Sequence, residues 1–242
     1  MTGTTNGNVS VRRPFRMAGI FLLVLLCGLA LSPAVTAQQT EQQEELDRRV
    51  QDFLNRNQRA WRDMNVPTVD GQRLYDLIVE HGYTRAVEVG TSTGHSGIWI
   101  AWALARTGGK LITIEIDERR YRQAVANFEE AGLSDYIDAR LADAHELVPQ
   151  LEGPFDFVFV DADKEWYPQY FRALLPKLEV GGCFTAHNVS ERSTRSGRRG
   201  RGSTSGTDAF VRELLETPGL QTTFHQSGSG LSVSFKLPPG PR

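Results

Sequence analysis

Short apolar runs alternate with stretches of helical periodicity along residues 85–187, and few architectures accommodate that order. RAVEV at 85–89, LITIEI at 111–116, IDARL at 137–141, FDFVFVDA at 155–162 and GCFTAH at 182–187 read as strands. Helical stretches at 96–106, 118–131, 145–151 and 166–178 separate them. Strands and helices of these lengths in alternation mean β-α-β units, hence a parallel sheet with helices on both faces. FVFV is apolar at consecutive positions, as a strand buried on both sides requires. The end of the chain breaks the rule. A helix at 208–216 precedes QTTFH at 221–225 and LSVSFKL at 231–237, which are joined only by QSGSG. So short a link makes an antiparallel hairpin. The expected fold is therefore an α/β sheet, mostly parallel and closed by a C-terminal hairpin.

Upstream, residues 41–61 carry Leu46, Val50, Phe53, Leu54 and Trp61 at helical spacing among charged residues, which predicts an amphipathic surface helix. NVPTVDG at 65–71 reads as a loop and 72–80 as a second helix. Arg12, Arg13 and Arg16 precede an apolar run at 17–31, followed by SPAVTA ending at Ala37. Those are the three parts of a secretory signal peptide. The protein is expected to be exported, to a periplasm or the extracellular space. An uncleaved segment would instead anchor it to the membrane, with the rest of the chain again outside the cytoplasm. The expected division is a signal at 1–37, a helical segment at 38–65 and one domain at 66–238. Composition agrees with a globular domain: 40% hydrophobic, 23% charged and a net charge of −2 over 242 residues. That charge exerts no global pull toward nucleic acid. With Cys27 inside the removed segment, Cys183 stands alone and no intramolecular disulfide is expected. Residues 190–207 contain five arginines and no apolar side chain, so they are expected to form a mobile loop outside the core.

The chemistry-bearing residues fall at the strand ends. The first strand runs into EVGTSTGHSG, where Gly90 and Gly94 let the backbone turn sharply beside a ligand, or simply make a tight strand-to-helix turn. Ser92 takes the place of the second glycine of the dinucleotide fingerprint. The second strand ends in Glu115, able to accept from ribose hydroxyls or to sit as a solvated carboxylate. The third ends in Ala142-Asp143-Ala144, the fourth in Asp161-Ala162-Asp163-Lys164, the fifth in His187-Asn188. Five successive tips deliver polar or glycine-rich residues to one edge, which points to a site. His95 and His145 are expected as lining or surface residues, and Trp99 and Trp102 as packing. Trp166 is in place to flank an aromatic acceptor.

In this order and spacing, VEVGTSTGHSGIW, ITIEID, LADAHE, FDFVFVDADKEWYPQY and LEVGGCFTAHNV resemble the small-molecule O-methyltransferases that use S-adenosylmethionine (SAM). These include the catechol and caffeoyl-CoA O-methyltransferases and their bacterial relatives. The resemblance covers roughly 66–237 and implies a Rossmann-like class I methyltransferase fold, with seven strands and a late antiparallel one. Carried over by position, Glu88, Gly90, Thr91, Ser92, Gly94 and Ser96 would hold the methionine part of SAM and the backbone near its ribose. Glu115 would take the ribose hydroxyls, and Asp143 and Ala144 would edge the adenine. Asp161 would reach both the cofactor and, in metal-dependent members, a divalent cation shared with an Asp-Asn pair at the next tip. Lys164 would take the acceptor's hydroxyl proton. Read from its type alone, it is a helix-start lysine paired with Asp163.

The chain departs from that pattern at His187, which stands where those relatives have an aspartate. Three roles are open to it: a ligand with Asp161 and Asn188 for a metal softer than magnesium, a general base without metal, or no role. The implied partner is a small hydroxyl acceptor, phenolic or catecholic, with SAM as methyl donor. No nucleic-acid partner is expected, membrane contact would come only through an uncleaved N-terminus, and homodimer assembly stays open. Three rivals remain: a nucleic-acid methyltransferase using Arg192, Arg195, Arg198, Arg199 and Arg201, an exported, non-catalytic cofactor-binding domain, and an NAD-dependent oxidoreductase, against which Ser92 and the terminal hairpin count.

Overall fold

The computed structural model describes residues 1–3, 33–59, 61, 64–191 and 206–240. Most of the expected signal and all five arginines of the expected loop lie outside the described residues. No helix among the described residues is long and apolar enough to cross a membrane.

Seven strands make one sheet: β1 (Arg85–Val89), β2 (Lys110–Glu115), β3 (Ile137–Leu141), β4 (Phe155–Val160), β5 (Leu178–His187), β6 (Leu220–His225) and β7 (Leu231–Lys236). Their order is β3-β2-β1-β4-β5-β7-β6. β1 to β5 are mutually parallel, and β7 runs antiparallel between β5 and β6. The expected mostly parallel sheet with a terminal hairpin is the observed one. Strand order reverses between β1 and β4, so the connections leaving those strands diverge and open a crevice at their carboxyl ends.

The sequence of β4 shows how both faces are filled. Phe157 and Phe159 point to one face, where α2 (Thr68–His81) and α3 (His95–Thr107) supply Leu74, Leu77, Ile78, Ile100 and Leu104. Val158 and Val160 point to the other, against Tyr167, Tyr170 and Phe171 of α6 (Tyr167–Leu174) and Phe210 of α7 (Gly206–Glu216). From Phe157 to Val160 the period of two thus places every side chain in a core. α1 (Pro33–Arg56) lays Val50, Phe53 and Leu54 on Ile98 and Trp99 of α3 and Phe128 of α4 (Glu118–Ala131). Arg49 of α1 donates to the last carbonyls of α4, Glu130 O at 2.9 Å and Glu129 O at 2.7 Å. A cation at a helix C-terminus is favourably placed.

Three boundaries differ from the sequence reading. α2 begins at Thr68, directly after Pro67, so part of NVPTVDG is helix. The stretch at 166–178 is split: α6 stops at Leu174 and a 3-10 turn containing Pro176 follows, because proline cannot supply the next backbone N–H. β5 starts at Leu178 and passes through Gly181, whose φ of 85° accommodates a register shift against β4.

Candidate active site

A pocket of about 380 Å³ opens at the carboxyl edge of the sheet. Of the residues expected there from sequence, Gly90, Ser92, Glu115, Asp143, Ala144 and Asp161 line it. Gly90 has φ 98°, and a Cβ on it would lie 2.4 Å from the Asp161 carbonyl oxygen. Only glycine lets the tips of β1 and β4 approach this closely. Ser92 also adopts a left-handed conformation, with φ 50°. Its N–H donates to Glu115 Oε2 at 2.7 Å, while Ile116 N and Asp117 N donate to Oε1 at 3.1 and 2.9 Å. Glu115 therefore organises two loops as well as facing the pocket.

The remaining expected residues lie behind the lining. Gly94 starts α3 with φ 96°. Thr91 pairs its hydroxyl with Thr113, and Ser96 hydrogen-bonds Glu88. Glu88 is fully buried, accepting from Thr113 Oγ1 at 2.5 Å on Oε2, while Oε1 has no partner. Burial raises its carboxyl to about 8 against the opposing bonds from Ser96 and Thr113. The native state thus holds a proton that the unfolded chain releases near 4.5. This contribution to stability is complete below 4.5 and is lost as pH rises through about 8. Urea midpoints are expected to fall across that window, and Glu88→Gln should flatten that part of the slope. An identical slope in the variant would show that Glu88 is ionised in the folded protein.

At the far end, Asp143 caps α5 (Ala144–Gln150) by accepting from His145 N at 2.9 Å. The His145 ring stacks on Trp166 with centroids 3.7 Å apart, and its Nε2 lies 3.1 Å from Asp163 Oδ2. Tyr170 donates to Asp163 Oδ1 at 2.8 Å. His145 and Tyr170 line the pocket, so this end presents flat rings and carboxylates. His95 is different. It is buried beneath α2, where Trp99 Nε1 donates to its Nε2 at 3.1 Å and its Nδ1 meets Val66 O at 2.9 Å. Burial lowers it to about 4, so it is a neutral packing histidine with the hydrogen on Nδ1.

At the other end the tips of β4 and β5 converge. Lys164 Nζ donates to Asp161 Oδ1 at 2.6 Å and to Tyr167 Oη at 2.7 Å, not to Asp163. Tyr167 is buried, which pushes its phenol well above the ordinary value; its hydroxyl lies 3.0 Å from the His187 carbonyl. His187 is buried between two carboxylates: Nδ1 is 2.9 Å from Asp161 Oδ2 and Nε2 is 3.0 Å from Asp70 Oδ2. Burial alone would lower the imidazole, but the bonds to Asp161 and Asp70 outweigh it and raise it above its ordinary value. Burial would likewise raise Asp161, and the His187 bond with the Lys164 charge holds it below the usual carboxylate range. Asn188 is exposed and left-handed, φ 58°, a conformation asparagine tolerates better than most residues. Of the expected ligand set, Asp161 and His187 bond each other across the tips of β4 and β5, and exposed Asn188 follows at the β5 tip. Among the described residues no group of three or more histidine, cysteine or acidic side chains is arranged to hold a metal ion.

Asp70 is the residue that sequence reading missed. It lies on α2, 117 residues from His187, and also accepts from Ser229 N at 2.9 Å in the β6–β7 turn. Its signal was a carboxylate on an apolar stripe, because Asp70, Leu74, Leu77 and Ile78 fall on one buried helix face. Reading 65–71 as loop hid that stripe.

Comparisons with known proteins agree with this geometry. A family profile described as O-methyltransferase matches residues 36–193. A catechol O-methyltransferase of Niastella koreensis is 40% identical over 107 residues, 43% of this chain and 48% of the relative. Caffeoyl-CoA O-methyltransferase 1 of Eucalyptus globulus is 34% identical over 134 residues, 53% of this chain and 54% of the relative. The chain thus spans about half the length of these curated relatives. An O-methyltransferase from Bacillus cereus in complex with SAH superposes with a TM-score of 0.68 at 27% identity, covering 77% of this chain and 90% of that one. One from Streptomyces achromogenes in complex with SAM also gives 0.68, at 25% identity, over 78% and 89% of the two chains.

Proposed function

Because the chain belongs to the O-methyltransferase family, we propose that it moves a methyl group from SAM to a hydroxyl of a small phenolic or catecholic acceptor. The observation that carries this reading is the contact of Lys164 with Asp161, which lines a pocket bounded elsewhere by Glu115, Asp143 and His145. The residues present fit SAM. Gly90 and Ser92 line the pocket at the β1 tip, and Glu115 lines it with three of its roughly four acceptor positions filled by backbone N–H groups. The remaining capacity is available to a ribose hydroxyl. Asp143, Ala144 and His145 bound the end where an adenine would lie. SAM, when bound, supplies a methyl group on a positively charged sulfur.

The chain's own residues then have to prepare the acceptor. A phenol has a pKa near 10, so its oxygen attacks carbon well only as the proton leaves. Lys164 Nζ, after passing one of its own protons to water, takes that proton, and the restored ammonium is held by Asp161 and Tyr167. The acceptor leaves as a methyl ether and the donor as its demethylated sulfide, so charge and atoms balance. Trp166, stacked on His145, extends the aromatic surface at the nucleoside end and does not flank the acceptor.

Calorimetric titration of the full chain with SAM and SAH, followed by a methyl-transfer screen over phenols, catechols, amines and RNA, tests the proposal. Binding of both and transfer to a phenolic hydroxyl are expected. No binding of either would favour a non-catalytic domain, and transfer confined to RNA would favour the nucleic-acid reading.

A further inference from the structure

The resemblance implies a divalent cation at the tips of β4 and β5, and the side chains there do not fit one. Both nitrogens of His187 face carboxylate oxygens, Asp161 Oδ2 at 2.9 Å and Asp70 Oδ2 at 3.0 Å. Carboxylate oxygens accept, so each ring nitrogen carries a hydrogen and neither keeps a lone pair for a metal. The other oxygen of Asp161 is held by Lys164 at 2.6 Å. Asp70 Oδ2 also accepts from Ser229 N at 2.9 Å, and Gly228 packs so close that a Cβ on it would lie 2.1 Å from Oδ1.

Charge points the same way. Asp70, His187, Asp161 and Lys164 form one chain of contacts in which two carboxylates face two cationic groups. His187 and Asp70 keep only 4% and 2% of their side-chain surface exposed. A divalent ion added to this balanced chain would bring uncompensated charge out of water beside two nearly fully buried side chains. An aspartate in place of His187 would reverse that balance and leave three carboxylates needing a cation.

We propose that this chain binds no divalent metal at its active site, and that His187, clamped by Asp161 and Asp70, is the protein's own replacement for that cation. Asp70, delivered from α2, is the residue that permits the exchange. The proposal rests on the methyl-transfer reading only for its kinetic arm, because metal binding is measured without turnover.

The full-length protein is dialysed against Mn2+, Mg2+, Zn2+ and Ni2+ in turn, and bound metal is determined by elemental analysis and, for Mn2+, by electron paramagnetic resonance. No stoichiometric metal is expected, and chelator should leave the methyl-transfer rate unchanged. His187→Asp is expected to gain one Mn2+ or Mg2+ per chain. Should that variant fail to fold, nitrogen-15 spectra of the wild-type histidines decide: both His187 ring nitrogens should be protonated and unmoved by Mn2+. One equivalent of wild-type-bound metal that disappears in Asp161→Asn would overturn the proposal, as would a rate abolished by chelator and restored by metal. If no acceptor is methylated and no metal binds, the functional reading fails and this one stands.

Discussion

Lys164→Met is expected to lower methyl transfer by about 10²–10⁴-fold, the range for losing a positioned proton acceptor, while SAH affinity stays near that of the wild type. Lys164 is not part of the pocket lining, and among the described residues its Nζ hydrogen-bonds Asp161 and Tyr167. Methionine keeps much of the stem and removes the amine. Asp161 retains His187, so the core charge is still partnered and the fold should survive. The loss should appear in kcat with KM for SAM unchanged, as for a group acting in the transition state. A variant within a few-fold of wild type would remove Lys164 from the chemistry and leave it as a partner of Asp161. Asp161 itself is a poorer probe, because its loss strands both His187 and Lys164.

The largest stability effect is expected at Asp70. Asp70→Ala should cost about 3–5 kcal/mol, the range for breaking a buried pair from one side. Three elements meet at this carboxylate: α2 carries it, β5 presents His187 Nε2, and the β6–β7 turn presents Ser229 N. Alanine leaves a charged imidazole and a backbone N–H without their acceptor in a site that water barely reaches. Asp70→Asn retains an acceptor oxygen and most of the shape, so it should be the milder change. Urea denaturation measures both. A loss for alanine below about 1 kcal/mol, as at an exposed pair, would mean that His187 sheds its proton and the site relaxes.

Local pattern made much of this protein legible. The alternation of apolar strands and amphipathic helices required a parallel sheet, and QSGSG could join its flanking strands only as a hairpin. Five polar strand tips pointed to one edge, and the pocket lies there. Boundaries were harder where one residue overrides periodicity, as Pro176 ends α6 and Gly181 carries β5 onward. Glu88 shows a different limit. Its place in the EVG turn marked it as a site residue, but the backbone directs it away from the pocket into the sheet, where burial changes its charge.

The residue type at 187 was plain from the start, and its chemistry was not. A histidine beside an asparagine can be ligand, base or bystander, and nothing within reach along the chain decides among them. The sequence alone determined the sheet, the hairpin and the edge where the polar strand tips gather, because these depend on spacings of a few residues. Only the tertiary structure brought Asp70 across 117 residues to the second nitrogen of His187. Burial then made that contact decisive, since a carboxylate acceptor on each side favours an imidazole with a hydrogen on both nitrogens.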